Sequence, residues 1–204
     1  VFLKNKWKQE EEERQNIQYT ALNPDKDDEY INYYSPATAG KDSVIAIRTS
    51  LFHVLVFVLI NTDTGRETKL FTPGRIWPYK ISFAANTIVW AEQHNDPRWS
   101  NRDYSVIKTY NIRTGNSSTI TSRSRYFSPD ISPDGSSIVV SESTAAYSNS
   151  LVVLDAITGD VKARYESPGN RFISYPSWSD DMEEIVFITT NTDGEGIMSF
   201  RPAT

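Results

Sequence analysis

Apolar positions in this chain gather into short β-branched and aromatic runs divided by turn formers, and three of the runs repeat one pattern. Ser82-Phe-Ala-Ala-Asn-Thr-Ile88-Val-Trp90, Ser132-Pro-Asp-Gly-Ser-Ser-Ile138-Val-Val140 and Ser179-Asp-Asp-Met-Glu-Glu-Ile185-Val-Phe187 each set a Ser, a turn and a strand that opens on Ile. The Ile residues stand 50 and 47 positions apart. Each of the first three units also holds a second hairpin signal, Asn61-Thr-Asp-Thr-Gly65, Asn111-Ile-Arg-Thr-Gly115 or Asp155-Ala-Ile-Thr-Gly159. The leading Asn or Asp can accept backbone N–H groups of the turn, and the closing Gly is suited to positive φ. A four-stranded antiparallel unit recurring at this period is the signature of β-propeller blades.

The pattern predicts an all-β chain of about three and a half blades, divided at 30–74, 75–124, 125–170 and 171–204. In the first unit the expected strands are Asp42–Ile47, a long Phe52–Ile60 and Thr68–Phe71. The second offers Thr87–Ala91 and Tyr104–Tyr110. The third, the most regular, offers Ser136–Ser141, Leu151–Leu154 and Val161–Tyr165, and the fourth offers Ile185–Thr189 with a turn over Asn191–Gly194 but no outer strand. An unfinished ring is expected to be a piece of a longer propeller, or to self-associate through its open blade edges. Ahead of the repeats, residues 1–29 form a separate segment. Within it, 4–18 are rich in helix formers without Gly or Pro and predict a short helix.

Composition narrows the function classes. A net charge of −5 with scattered Lys and Arg gives no field for nucleic acid. With no cysteine, disulfides, thiolate metal sites and a Cys nucleophile are excluded. The longest apolar run, Leu51–Ile60, is far short of the ~20 residues of a membrane-spanning helix. It predicts a buried strand, with His53 packed or at a strand edge.

Tyr126-Phe-Ser-Pro-Asp-Ile-Ser-Pro-Asp-Gly135 and Tyr175-Pro-Ser-Trp-Ser-Asp-Asp-Met182 resemble the inner-strand Pro-x-Trp/Phe-Ser-Pro-Asp-Gly motif of TolB-like propellers. The resemblance covers residues 75–200 well and 30–74 loosely. It implies a bacterial cell-envelope protein, periplasmic or surface-associated, whose propeller binds a protein or peptide partner or serves as an accessory module; long relatives join such propellers to hydrolase domains. The second unit departs from the motif with Ser82-Phe-Ala-Ala and the fourth with Ser179-Asp-Asp-Met, so the three turns are expected not all to have the same geometry.

Catalytic patterns are missing from these residues. No Gly-x-Ser-x-Gly, His-Glu-x-x-His or phosphate-cradling Gly-rich string occurs, and only His53 and His94 supply imidazoles. No catalytic residue, cofactor or metal is therefore assigned. The segment that stands apart is Glu92-Gln-His-Asn-Asp-Pro-Arg-Trp-Ser-Asn-Arg-Asp103, an insertion between two strands of the second unit. It gathers Glu92, His94, Asp96, Arg98, Trp99 and Arg102, a mixture of aromatic and charged groups suited to a peptide or an acidic side chain. Arg123 and Arg125 are expected on the same face. The alternative is that Pro97 and Trp99 pack the loop down while Arg98 and Arg102 pair with Asp96, Asp103 or Glu92. The expected function is a non-catalytic binding module of the envelope; the competing reading is a substrate-gating segment of a larger envelope hydrolase, and polysaccharide binding through Trp and Tyr ranks behind both.

Overall fold

A computed structural model describes residues 21–22, 30–76, 78–96, 98 and 103–202. The expected helix over 4–18 lies outside them. The described chain is all-β apart from a single 3-10 turn, Pro168–Asn170. Strands β1 (Ile31–Thr38), β2 (Ser43–Ser50), β3 (Val56–Asn61) and β4 (Glu67–Phe71) form the first antiparallel sheet in chain order. The second holds β5 (Ser82–Ala84), β6 (Thr87–Asn95), β7 (Asp103–Asn111) and β8 (Ser117–Thr119), and the third β9 (Tyr126–Ile131), β10 (Ser137–Ser143), β11 (Asn149–Asp155) and β12 (Val161–Glu166). The fourth has three strands, β13 (Ile173–Trp178), β14 (Ile185–Asn191) and β15 (Gly194–Phe200), as the missing outer-strand signal predicts.

The first strands of successive sheets are neighbours, so the sheets stand as blades around a common axis. Side chains stitch these inner strands together. Ser35 Oγ donates to the Ile81 carbonyl and accepts from its N–H, both at 3.1 Å. Ser82 Oγ accepts from Ile131 N–H at 3.1 Å, and Asp130 Oδ2 accepts from Ser177 Oγ and Trp178 N–H at 3.0 and 2.9 Å. Ser35, Ser128 and Tyr175 take positive φ immediately before Pro36, Pro129 and Pro176, each where the pairing register shifts. Proline has no N–H for the ladder, so a bulge there forfeits little.

Alternation along the second and third strands of each blade decides the core. Ile45, Ile47 and Phe57 of the first blade meet Ile81, Ile88 and Trp90 of the second. Val89 and Ile107 of the second meet Ile131, Ile138 and Val140 of the third; Val139, Leu151 and Val153 meet Ile173, Ile185 and Phe187 of the fourth. Each such side chain contributes about 1.5–3 kcal/mol on burial. Phe57 sits edge-on to Trp90, with ring centroids 5.0 Å apart. The outward face of the first blade is also covered: Ala46, Val56, Val58 and Ile60 are buried, with Leu22 packed on them. The corresponding face of the fourth blade is bare. Ile197, at the position of Phe57, Ile107 and Leu151, is 83% exposed where they are at most 2% exposed.

One expectation is corrected. The apolar run over 51–60 is not one strand: β3 begins at Val56, and Leu51, Phe52, His53 and Val54 form an exposed bend. Ser50 Oγ accepts the N–H groups of Phe52 and His53 at 3.3 and 3.1 Å, which turns the chain out of the ladder, so His53 lies in no strand. As expected, the repeated turns do not all have one geometry, but those at Ser132 and Ser179 share theirs. In each, the Ser Oγ donates to the Asp two residues on (Asp134, Asp181), that carboxylate accepts from the N–H two residues further, and the Ser Oγ accepts from the N–H five residues on. Met182 adopts the positive φ that Gly135 adopts. Only the second blade's turn departs, a two-residue link with Ala85 and Asn86 both at positive φ.

Candidate functional site

The antiparallel order puts the link between second and third strands and the link between blades on one rim of the array, and the Ser and Asx turns on the other. The insertion over 92–103 belongs to the first rim, and much of it is strand. β6 runs to Asn95 and β7 starts at Asp103, so the link itself is 96–102. Trp99 and Arg102 lie outside the described residues.

Glu92 is inside the blade rather than in the link. Its carboxylate is buried and accepts from Gly74 N–H (2.9 Å), Trp90 Nε1 (3.2 Å) and Lys108 Nζ (2.6 Å), and it meets His94 Nε2 at 3.2 Å. Burial alone would raise its pKa, but the hydrogen bonds from Lys108, Gly74 and Trp90 outweigh it and hold the carboxyl below its ordinary value. A Cβ on Gly74 would stand 2.6 Å from the Glu92 carboxyl carbon, so glycine there permits the approach. Glu92 thus ties the link before β5 to the centre of the second blade. His94, half exposed, rests on that same carboxylate.

Asp96 and Arg98 do meet, through the Arg98 N–H, which donates to Asp96 Oδ1 at 2.8 Å. Asp96 Oδ2 also accepts from Tyr104 OH at 3.2 Å. Tyr104 carries the geometry from the link into a groove of about 560 Å³ at the seam between the second and third blades. Arg123, Arg125, Tyr126, Glu142 and Thr144 line the same groove. The segment bearing the two arginines is pinned to both blades. Ser105 N–H donates to the Ser124 carbonyl at 2.9 Å and Ser124 Oγ donates to the Ser105 carbonyl at 2.6 Å; Ser143 N–H donates to the Arg125 carbonyl at 3.3 Å. Glu142 accepts from Ser150 Oγ and pairs with Arg164.

The structure therefore brings Asp96, Arg123 and Arg125 together around Tyr104, leaves Arg98 exposed beside them, and withdraws Glu92 into the blade. Sequence reasoning missed Tyr104, Tyr126, Glu142 and Thr144, which read as strand positions; only the seam between blades makes them neighbours. It also missed Lys80, whose Nζ donates to the Pro176 carbonyl at 3.3 Å and lies 5.5 Å from the centre of the Tyr175 ring. Burial lowers the Lys80 pKa, and the nearby Asp130 carboxylate partly offsets that. Among the described residues no group of three or more His, Asp or Glu converges as a metal site, and no helix is long and apolar enough to cross a membrane.

Comparison with solved structures identifies the architecture. A putative TolB from Agrobacterium tumefaciens superposes with a TM-score of 0.59 at 13% identity, over 78% of this chain and 57% of that one. TolB from Acinetobacter baumannii gives 0.58 at 14% identity, over 86% and 44%. The fold is that of the TolB-like β-propeller. The β-propeller domain of the Trilobed protease from Pyrococcus furiosus follows at 0.52 and 15% identity, over 86% and 56%. This chain thus spans about half the length of these TolB-like and protease propellers, and identities this low concern the fold alone. No protein-family profile matches the chain, nor does any curated protein sequence.

Proposed function

We propose that the chain is a non-catalytic propeller module of the bacterial cell envelope, periplasmic or surface-associated, which holds a protein or peptide partner in the groove between its second and third blades. The observation that carries this reading is the groove lining: two tyrosines, two arginines and two carboxylates, Glu142 and Asp160, over about 560 Å³. Tyrosines offer broad contact at low entropic cost, and arginine forks suit carboxylates. An extended segment with acidic side chains fits that lining. Asp96, Arg98 and the neighbouring link form one wall of the binding region, with Trp99 and Arg102 assigned to it from the sequence.

Selection from a displayed library of random peptides tests the reading. Acidic, aromatic-containing peptides are expected to be enriched, and the double variant Arg123→Ala/Arg125→Ala is expected to lose them while keeping its fold. Failure to enrich any such peptide, or retention by the double variant, would overturn it. The second reading, a substrate-gating segment of a larger envelope hydrolase, draws on the likeness to protease and peptidase propellers. A nucleophile motif in the parent reading frame, with a native gene product much heavier than 23.2 kDa, would favour it.

A further inference from the structure

The net charge of −5 conceals a polarity between the two rims. On the rim where the groove opens, Arg75, Arg123, Arg125 and Arg171 lie in the links between blades and Arg98 in the 96–102 link. All five are exposed, and their side chains make no ion pair among the described residues. The described acidic residues of these links are Asp96 and Asp193, with Asp103 and Glu166 at adjoining strand ends. The opposite rim reverses the balance. Its turns set Lys41, Arg66 and Arg113 against a larger group of acids, four of which, Asp180, Asp181, Glu183 and Glu184, share one turn.

The basic rim also carries apolar tips. Leu51, Phe52 and Val54 are 78, 74 and 70% exposed at the bend between β2 and β3. Ser50 Oγ fixes the bend and Leu55 packs against the core, so the tip is held out from a firm base. Tyr147 projects from the Thr144–Ser148 turn and Phe172 from beside Arg171. Exposed apolar residues in succession cost solubility, and folds keep them for contact with something apolar.

We propose that this rim docks on an anionic phospholipid bilayer, with Leu51, Phe52 and Val54 entering the headgroup region and the arginines pairing with lipid phosphates. Arginine forks match phosphate oxygens, and each cation near an anionic surface adds attraction. Apolar insertion and a basic patch are the two signals that together make a peripheral anchor. A broad surface can meet tips from several blades at once, and a soluble polyanion would leave the apolar tips unmatched. The same surface repels the acidic rim, so the charge fixes the orientation. Leu51, Phe52, Arg75 and Arg171 do not line the groove, so this inference stands apart from the peptide reading.

Co-sedimentation of the 204-residue chain with vesicles tests it. Capture is expected by vesicles of phosphatidylcholine mixed with phosphatidylglycerol and not by phosphatidylcholine alone. It should fall as salt shortens the screening length from about 10 Å at 0.1 M to about 3 Å at 1 M. Leu51→Asp/Phe52→Asp is expected to weaken capture at least about tenfold, and Arg75→Glu/Arg171→Glu likewise. Neither pair is expected to move the urea midpoint, because all four side chains are exposed in the free chain. No capture by the anionic vesicles, equal capture by the neutral ones, or capture that either pair of substitutions leaves unchanged would overturn the proposal.

Discussion

The two rims of the array are built from different chemistry. On one, the turns close their own hydrogen bonds and repeat from blade to blade: Asn61, Asn111 and Asp155 each accept from N–H groups two or three residues ahead, and each is closed by a Gly at positive φ. On the other, the links differ in every blade, as an exposed Leu51–Val54 bend, the 96–102 link beside Tyr104, and the Thr144–Ser148 turn with Tyr147 81% exposed. The groove opens from the irregular rim and runs down the seam as far as Thr158, Gly159 and Asp160 of the third blade's Asx turn.

Breaking the repeat should cost stability, and breaking the rim should cost binding alone. The largest contrast lies within one apolar run: Phe57, fully buried, should lose about 3–5 kcal/mol on replacement by Ala, whereas Phe52, 74% exposed, should change stability by no more than about 0.5 kcal/mol. Chemical denaturation of the two variants checks this. Glu92→Ala, which strands Lys108 and the Trp90 and Gly74 N–H groups, is expected to cost about 3 kcal/mol by the same measurement.

Gly159 and Gly115 separate backbone strain from blade packing. Both close the same turn at nearly the same φ, but a Cβ on Gly159 would collide with the Ile120 carbonyl oxygen, while Gly115 has nothing within 4 Å. Gly115→Ala should cost about 1–2 kcal/mol from the left-handed backbone, and Gly159→Ala at least about 1 kcal/mol more from the overpacked contact.

Acid titration makes a smaller effect. The Thr158 and Ile157 N–H groups, then Lys162, lower the Asp155 pKa from 3.8 to about 2, and hydrogen bonds from Ser132 and Ser179 lower those of Asp134 and Asp181. A carboxyl with a depressed folded pKa stabilises the fold above its unfolded value, so this contribution is present above pH 3.8 and is lost as pH falls toward 2. Asp155→Asn keeps the turn, as Asn111 does in the second blade, and should flatten the urea midpoint over that window. Least of all, Arg123→Ala/Arg125→Ala should leave stability within about 0.5 kcal/mol while abolishing peptide capture.

The repeating rim was legible because its information is local. Asp155-Ala-Ile-Thr-Gly159 states its own hydrogen bonds, and Ile138 with Val139 and Val140 states which faces are buried. What the sequence obscured was set by contacts between blades. Leu51–Leu55 has the hydrophobicity of a strand, and Ser50 diverts it. Glu92 resembled a loop carboxylate until Lys108 and Gly74 were placed around it. Met182 hid the likeness of the fourth turn to the third, because the backbone there follows the Ser179 and Asp181 bonds rather than the residue's own preference. Arg123 and Arg125 were found by their nearness in sequence, but Tyr104, Tyr126 and Glu142 join them only across the seam.

Amide chemical-shift mapping with a peptide selected on this chain tests most directly whether binding belongs to the irregular rim. Shifts are expected at Tyr104, along 121–126 and at 142–145, with the turns at Ser132–Ser137 and Ser179–Glu184 unmoved. A footprint centred on those turns, with the groove unperturbed, would contradict the account.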